Sequence, residues 1–172
     1  MNQIIVKTHH LKKGKELNKE KLTREIVINK CWGGFELSHD AIMLYAEYAG
    51  FKLYPFVEIR EKKGVEWSSC TGKFKSYIDE RSKSNPYDLI FYSKKPLKRD
   101  GTYEEYSWFS VNDIKRVDSA LTKVVEKLKE KSFDTHAELK IVKIPDDIKW
   151  EINDYDGMES IEEKHKSWGL TL

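Results

Sequence analysis

Apolar positions along the chain fall into two well-patterned blocks separated by a polar middle. The first block opens with Ile26-Val27-Ile28, an uninterrupted apolar run that predicts a strand. It leads through Asn29-Lys30-Cys31-Trp32-Gly33-Gly34-Phe35-Glu36-Leu37 to Ser38, a good N-cap. From there the spacing of Ala41, Leu44, Tyr45 and Tyr48 predicts a helix over 38–49, with Asp40 favourably placed in the first turn and Gly50 ending it. Phe51, Leu53, Val57 and Ile59 then alternate as a strand does, and Pro55 assigns that strand to a sheet edge or gives it a bulge.

Residues 60–86 carry the weakest pattern. Arg60-Glu61-Lys62-Lys63-Gly64 reads as a turn, with a short helix around Tyr77. Leu89, Ile90 and Phe91 mark a strand over 87–92, and residues 94–106, punctuated by Pro96 and Gly101, read as a loop. Loops of this kind serve either as binding elements or as inert surface insertions.

The second block begins near Asn112. Val117, Leu121, Val124, Val125 and Leu128 form one helical stripe, with Asp118 as a cap or first-turn acid. Residues 139–144 are apolar on both faces, which predicts a central strand, turned by Pro145-Asp146-Asp147. Trp150 and Ile152 alternate as a short strand. After Asp154-Tyr155-Asp156-Gly157, spacings of four and three between Ile161, His165 and Trp168 predict a final helix.

This order predicts an α+β fold: one compact domain over residues 25–172, with a mixed or antiparallel sheet packed against about three helices and a variable polar insertion at about 60–110. Ahead of it, residues 1–24 hold a short apolar start at Ile4-Ile5-Val6 and then a lysine-rich stretch, read as a basic arm or a peripheral hairpin.

Composition narrows the function. Charged residues make up 35% of the 172, yet the net charge is only +2, so the surface is mixed and not a cationic sheath. Glu16, Glu20 and Glu25 interrupt the basic stretch, so nucleic-acid binding is the less favoured partner class. No segment has the apolar length of a membrane span, no signal-peptide core opens the chain, and the expectation is a cytoplasmic protein. Cys31 and Cys70 suggest reduced thiols, and the five scattered histidines form no zinc-type spacing, so neither metal nor cofactor is expected.

Candidate chemistry gathers at the ends of elements. Two glycines at 33 and 34 let main-chain N–H groups approach a ligand, and the following helix start adds further donors; a plain strand-to-helix turn meets the same pattern. Arg116 can fork onto a phosphate or carboxylate, and Trp32, Phe35 or Trp168 can stack on a base. Each has a structural alternative: Arg116 paired with Asp118 or Asp156, His165 as a satisfied cap, Trp168 as a helix anchor. The best catalytic constellation, Cys31 with His39 or His165 and Asp118 or Asp156, has no spacing that requires its members to meet, and the chain is not assigned as an enzyme.

Ile28-Asn29-Lys30-Cys31-Trp32-Gly33-Gly34-Phe35 with Leu37-Ser38, then Arg116 and Asp118 with Val124-Val125-Glu126, then Leu139-Lys140-Ile141-Val142, Ile144-Pro145-Asp146-Asp147, Trp150-Glu151-Ile152, Tyr155-Asp156-Gly157 and Glu163-Lys164-His165-Lys166-Ser167-Trp168 together carry a resemblance. In these segments, about half the chain, it resembles an uncharacterised family of small proteins from tailed bacteriophages and prophages. Glu36, Ser160 and Lys166 depart from the family pattern, and the region from about 59 to 110 matches it poorly. The resemblance implies a phage accessory role in the host cytoplasm, and such genomes carry proteins that disarm host defence, some by sequestering nucleotide signals.

The ligand-binding set expected on these grounds is Asn29, Trp32, Gly33, Gly34, Phe35, Arg116, Asp118, His165 and Trp168. The expected partner is a nucleotide-like or other anionic small molecule held without turnover, in a pocket that a second subunit of a homo-oligomer helps to complete. The alternatives are a protein-binding inhibitor of a host defence or replication enzyme, and nucleic-acid binding through the basic arm.

Overall fold

A computed structural model describes residues 22–63, 66–77 and 89–165. The first apolar run forms β1 (Thr23–Asn29), which pairs antiparallel with β6 (Leu139–Pro145) so that Val27 faces Ile141 and Asn29 faces Leu139. Ile26 and Val27 have no exposed surface and Ile28 almost none, as an unbroken apolar run requires. Helix α1 (His39–Tyr48) starts where expected, with the Ser38 hydroxyl accepting from the Ala41 N–H at 3.2 Å. It ends at Gly50, whose φ of +78° lets the Phe51 N–H close onto the Ala46 carbonyl at 3.0 Å.

The middle of the chain is sheet. Strands β2 (Tyr54–Lys63), β3 (Glu66–Ser76), β4 (Ile90–Ser93) and β5 (Trp108–Phe109) form an antiparallel sheet in the order β3-β2-β4-β5. Its two faces differ. Val57, Tyr92 and Phe109 are buried on one side, and on the other Phe56, Phe74, Phe91, Tyr103 and Trp108 form a chain of ring contacts, with centroids 5.1–6.2 Å apart. The 94–106 loop covers this aromatic layer: the Phe74 N–H donates to the Gly101 carbonyl at 2.8 Å, and Gly101 lies against Phe74 with φ +80°.

Helix α2 (Ser119–Leu128) follows a 3-10 turn at Val111–Asp113, and Asp118 is its N-cap, accepting from the Ala120 N–H at 2.8 Å. Its stripe of Leu121, Val124 and Val125 joins Ala41, Tyr45, Leu53, Tyr92, Phe109 and Leu139 in one buried cluster between the helices and the sheets. Strands β7 (Trp150–Tyr155) and β8 (Met158–Glu163) form a separate antiparallel hairpin.

The α+β class holds, and every sheet is antiparallel, but the described residues contain two α-helices instead of three and are mostly strand. The expected short strand at Trp150 and Ile152 is β7, and the start of the expected last helix is instead β8, its hairpin partner. Asp156 (φ +51°) and Gly157 (φ +87°) make a two-residue turn between alternating segments, and that geometry overrides the helix-like spacing of Ile161 and His165. Trp168 lies outside the described residues, as do residues 1–21 of the basic arm; Thr23 and Arg24 belong to β1. Tyr77 is not helical and the residues before it belong to β3, so the short helix expected around it is absent there; the positions from 78 to 88 lie outside the described residues.

Of the two placements expected for β2, the structure shows the bulged one: the strand is internal, Pro55 sits near its start, where its carbonyl accepts from the Tyr77 N–H at 2.9 Å, and the register is irregular between Glu58 and Lys62. β6 belongs to a two-stranded ribbon instead of a central position, with Lys140 and Lys143 exposed. No helix among the described residues is long and apolar enough to cross a membrane.

Candidate functional site

The Gly33-Gly34 turn meets the β7–β8 turn at backbone distance. A Cβ on Gly157 would stand 2.5 Å from the Gly34 nitrogen and 2.7 Å from the Trp32 carbonyl oxygen, and a Cβ on Gly33 would overlap the His136 carbonyl. Gly34 has open space but a φ of +88°. Each glycine thus has a local reason: close backbone approach at 33 and 157, left-handed conformation at 34.

Asn29, fully buried at the end of β1, joins these pieces. Its Nδ2 donates to the Cys31 carbonyl at 2.5 Å and the Gly157 carbonyl at 2.7 Å, while its Oδ1 accepts from the Glu138 N–H at 2.8 Å. The Asn29 N–H in turn donates to Glu159 Oε2 at 2.8 Å. Glu159, 5% exposed at its side chain, takes Arg116 Nη2 at 2.7 Å, and the guanidinium lies over the Phe35 ring at 3.2 Å. Burial pulls the Arg116 pKa down and the Glu159 carboxylate opposes that shift. The Arg116 carbonyl also accepts from the Val27 N–H at 2.9 Å, so its backbone closes the free edge of β1 while its side chain holds Glu159, which accepts from the last residue of that strand.

The structure therefore brings Asn29, Gly33, Gly34, Phe35 and Arg116 together, with Trp32 stacked edge-on against Tyr155 at 5.8 Å. Their polar atoms are turned toward one another's elements, and among the described residues no buried side-chain nitrogen or oxygen lacks a hydrogen-bond partner. Asp118 is separate: besides capping α2 it accepts from the Tyr45 hydroxyl at 2.8 Å, and burial with that bond pushes the Tyr45 pKa up to about 12. His165 is exposed beyond β8, away from this cluster. The Cys31 thiol donates to the His136 carbonyl at 2.9 Å, so the sulfur, His39 and Asp118 each engage different partners and form no triad. No group of three His, Cys, Asp or Glu among the described residues is placed to hold a metal.

Glu159 and Gly157 complete the cluster, and neither belongs to the expected ligand-binding set. The Asp156-Gly157 dipeptide between alternating segments was the available signal for Gly157. Nothing local marks Glu159, because its role depends on Arg116, which is 43 residues away in the chain.

Beside this cluster the start of α1, β4 and the 3-10 turn enclose a cleft of about 430 Å³. Its walls are Phe35, Leu37, Ile42, Ile90, Tyr92 and Val111, with His39 on the helix side and Glu36, Asn112 and Asp134 exposed around it. The size and the mixture of apolar and polar walls suit a small organic ligand. His39 Nδ1 bonds to the Tyr92 hydroxyl at 2.9 Å, its ring lies nearly parallel to Tyr92 at 5.8 Å, and Tyr77 meets it edge-on at 5.0 Å. Burial, followed by the negative fields of Tyr77, Asp134 and Asp40, pushes the Tyr92 pKa far above its ordinary value, so the phenol stays protonated. The cleft thus offers flat aromatic surface, a hydrogen-bonded hydroxyl–imidazole pair, and carboxylates at the rim.

Compared with known proteins, the chain matches no family model, no curated protein and no solved structure.

Proposed function

We propose that the protein is a phage-type accessory protein that binds a small, planar, nucleotide-like molecule in the cleft beside α1 without turning it over, and that in an infected cell such binding removes a defence signal by sequestration. The observation that carries this reading is the convergence of His39, Tyr92 and three carboxamide or carboxylate side chains on one cavity of about 430 Å³ with mixed polar and apolar walls. A heteroaromatic base gains there from apolar contact with both faces, and its N–H groups find acceptors in Glu36, Asp134 and Asn112. Arg116 is engaged by Glu159 and Phe35, so the geometry supports recognition of the base over recognition of a phosphate.

Sequestration at nanomolar concentration requires about 12 kcal/mol, more than a single stacked ring supplies, so the whole cavity must be filled. The test is native mass spectrometry and thermal shift of the full chain with a panel of nucleosides and of linear and cyclic nucleotides. At least one should be retained unchanged and raise Tm, with Tyr92→Phe and Asn112→Ala weakening retention severalfold. No retained probe across the panel overturns the reading, and consumption of a probe overturns its non-catalytic part.

A further inference from the structure

Strand β6 has the sequence of an interior strand and the position of an edge. Leu139 and Ile141 lie on the face that joins the helical core, Val142 and Ile144 lie on the opposite face, and none of the four is exposed. Yet among the described residues β6 pairs with β1 alone, in a ribbon of two strands.

The hydrogen-bond phase of that ribbon shows which backbone groups are left over. The Lys30 N–H donates to the Glu138 carbonyl at 2.8 Å and the Asp146 N–H to the Leu22 carbonyl at 2.9 Å, so the pairs in phase between them are Arg24–Ile144, Ile26–Val142 and Ile28–Lys140. The alternate residues turn their backbone groups away from the ribbon. On the β1 side two of these donors are taken up, the Val27 N–H by the Arg116 carbonyl at 2.9 Å and the Asn29 N–H by Glu159 at 2.8 Å. On the β6 side the outward residues are Leu139, Ile141 and Lys143, and among the described residues nothing bonds their N–H or C=O groups. Pro145, without an N–H, ends this open stretch.

We propose that β6 pairs antiparallel with β6 of a second copy of the chain across a two-fold axis at Ile141, so that two ribbons join in one four-stranded sheet with β6 in its interior. This register sets Ile141 opposite its own copy and Leu139 opposite Lys143, and it matches every outward donor and acceptor of the three residues. An axis at Val142 would instead set Leu139 opposite Pro145 and lose a donor. Edge lysines commonly keep such strands apart, but here they do not face each other. Lys143 is paired with Glu25 at 2.8 Å and Arg24 with Asp146, and Lys140 falls opposite Val142, whose methyl groups its stem can cover.

Sedimentation velocity of the full chain from about 10 μM to about 1 mM, with amide hydrogen exchange measured by NMR on the same samples, tests this. The expected result is a reversible monomer–dimer equilibrium in which the Leu139, Ile141 and Lys143 amides exchange at least about tenfold more slowly at the high concentration, while the Val142 amide, turned toward Ile26 in both states, changes little. Lys143→Pro removes an outward N–H at an exposed position and should weaken the dimer at least about tenfold, whereas Lys143→Ala keeps the N–H and should dimerise as the parent does. If Lys143→Pro fails to fold, the exchange rates of the parent decide alone. A chain that stays monomeric with fast exchange at these amides overturns the proposal, as does a dimer that leaves them fast. Amides that are slow at every concentration in a monomer overturn it in favour of a covering segment of the same chain, and a co-purified peptide that slows them overturns it in favour of a foreign strand.

Discussion

At the Gly33-Gly34 turn, Asn29, Glu159, Arg116 and Phe35 bond to or stack on one another's elements, whereas beside α1 the hydroxyl of Tyr92, the ring of His39 and the carboxylate of Asp134 line an open cavity. Both regions hold residue types that binding sites use. The difference is exposure: in the first the polar groups are largely buried and bonded within the chain, fastening the β7–β8 hairpin to β1, and in the second His39 and Tyr92 bond to each other while Glu36, Asn112 and Asp134 are exposed around space that a ligand can fill. A cluster of chemically capable residues indicates a binding site only if its donors and acceptors are still directed outward.

Substitutions separate the two regions by size of effect. The largest belongs to the tight backbone contacts. Gly33→Ala and Gly157→Ala force a methyl group into the backbone of the neighbouring turn and should each cost at least about 3 kcal/mol in urea unfolding, against about 1 kcal/mol for Gly34→Ala, which has room and suffers only from its positive φ. Equal effects at all three positions would break the distinction between close approach and conformation.

Glu159→Ala comes next. It leaves the Arg116 guanidinium buried without its carboxylate and the Asn29 N–H without its acceptor, a loss of about 3 kcal/mol, and the Glu159→Leu, Arg116→Met pair should recover much of it. Failure of the pair to recover would show that the Asn29 bond, and not the buried charge, dominates.

Tyr45→Phe is smaller, about 1 kcal/mol at neutral pH, for loss of the bond to Asp118. Its signature is alkaline. The folded state holds the Tyr45 proton up to about 12, above the unfolded value near 10, so this contribution to stability is fully present below pH 10 and lost as pH rises through about 12. The unfolding free energy should therefore fall less steeply from pH 9 to 12 in Tyr45→Phe than in the parent chain.

The smallest stability effect belongs to the cleft. Tyr92→Phe should cost no more than about 1 kcal/mol, while a bound probe is released severalfold faster. A large loss of stability with unchanged binding would reverse the comparison and make the His39–Tyr92 pair a structural fastening like that around Asn29.

Much of the local architecture was legible. Ser38, Gly50 and Asp118 mark the helix ends they form, since capping depends on neighbours within four residues. β7 was legible as a strand, but β8 was misread because two signals overlap between Asp154 and His165: the helix-like spacing of Ile161 and His165, and an Asp-Gly turn between alternating segments, which prevails because both turn residues adopt positive φ. β3 was not expected from its largely polar sequence; its strand conformation comes from pairing with β2.

The sequence by itself determined the α+β class, the caps, the first strand and both amphipathic helices, because periodicity and capping act within a few residues. Only the tertiary structure decided that Asn29 and Arg116 meet Gly157 and Glu159, that Gly33 lies against His136, and that His39 and Tyr92 line a common cleft. Those contacts join residues 43–130 positions apart, and no local pattern encodes which buried charge finds which partner.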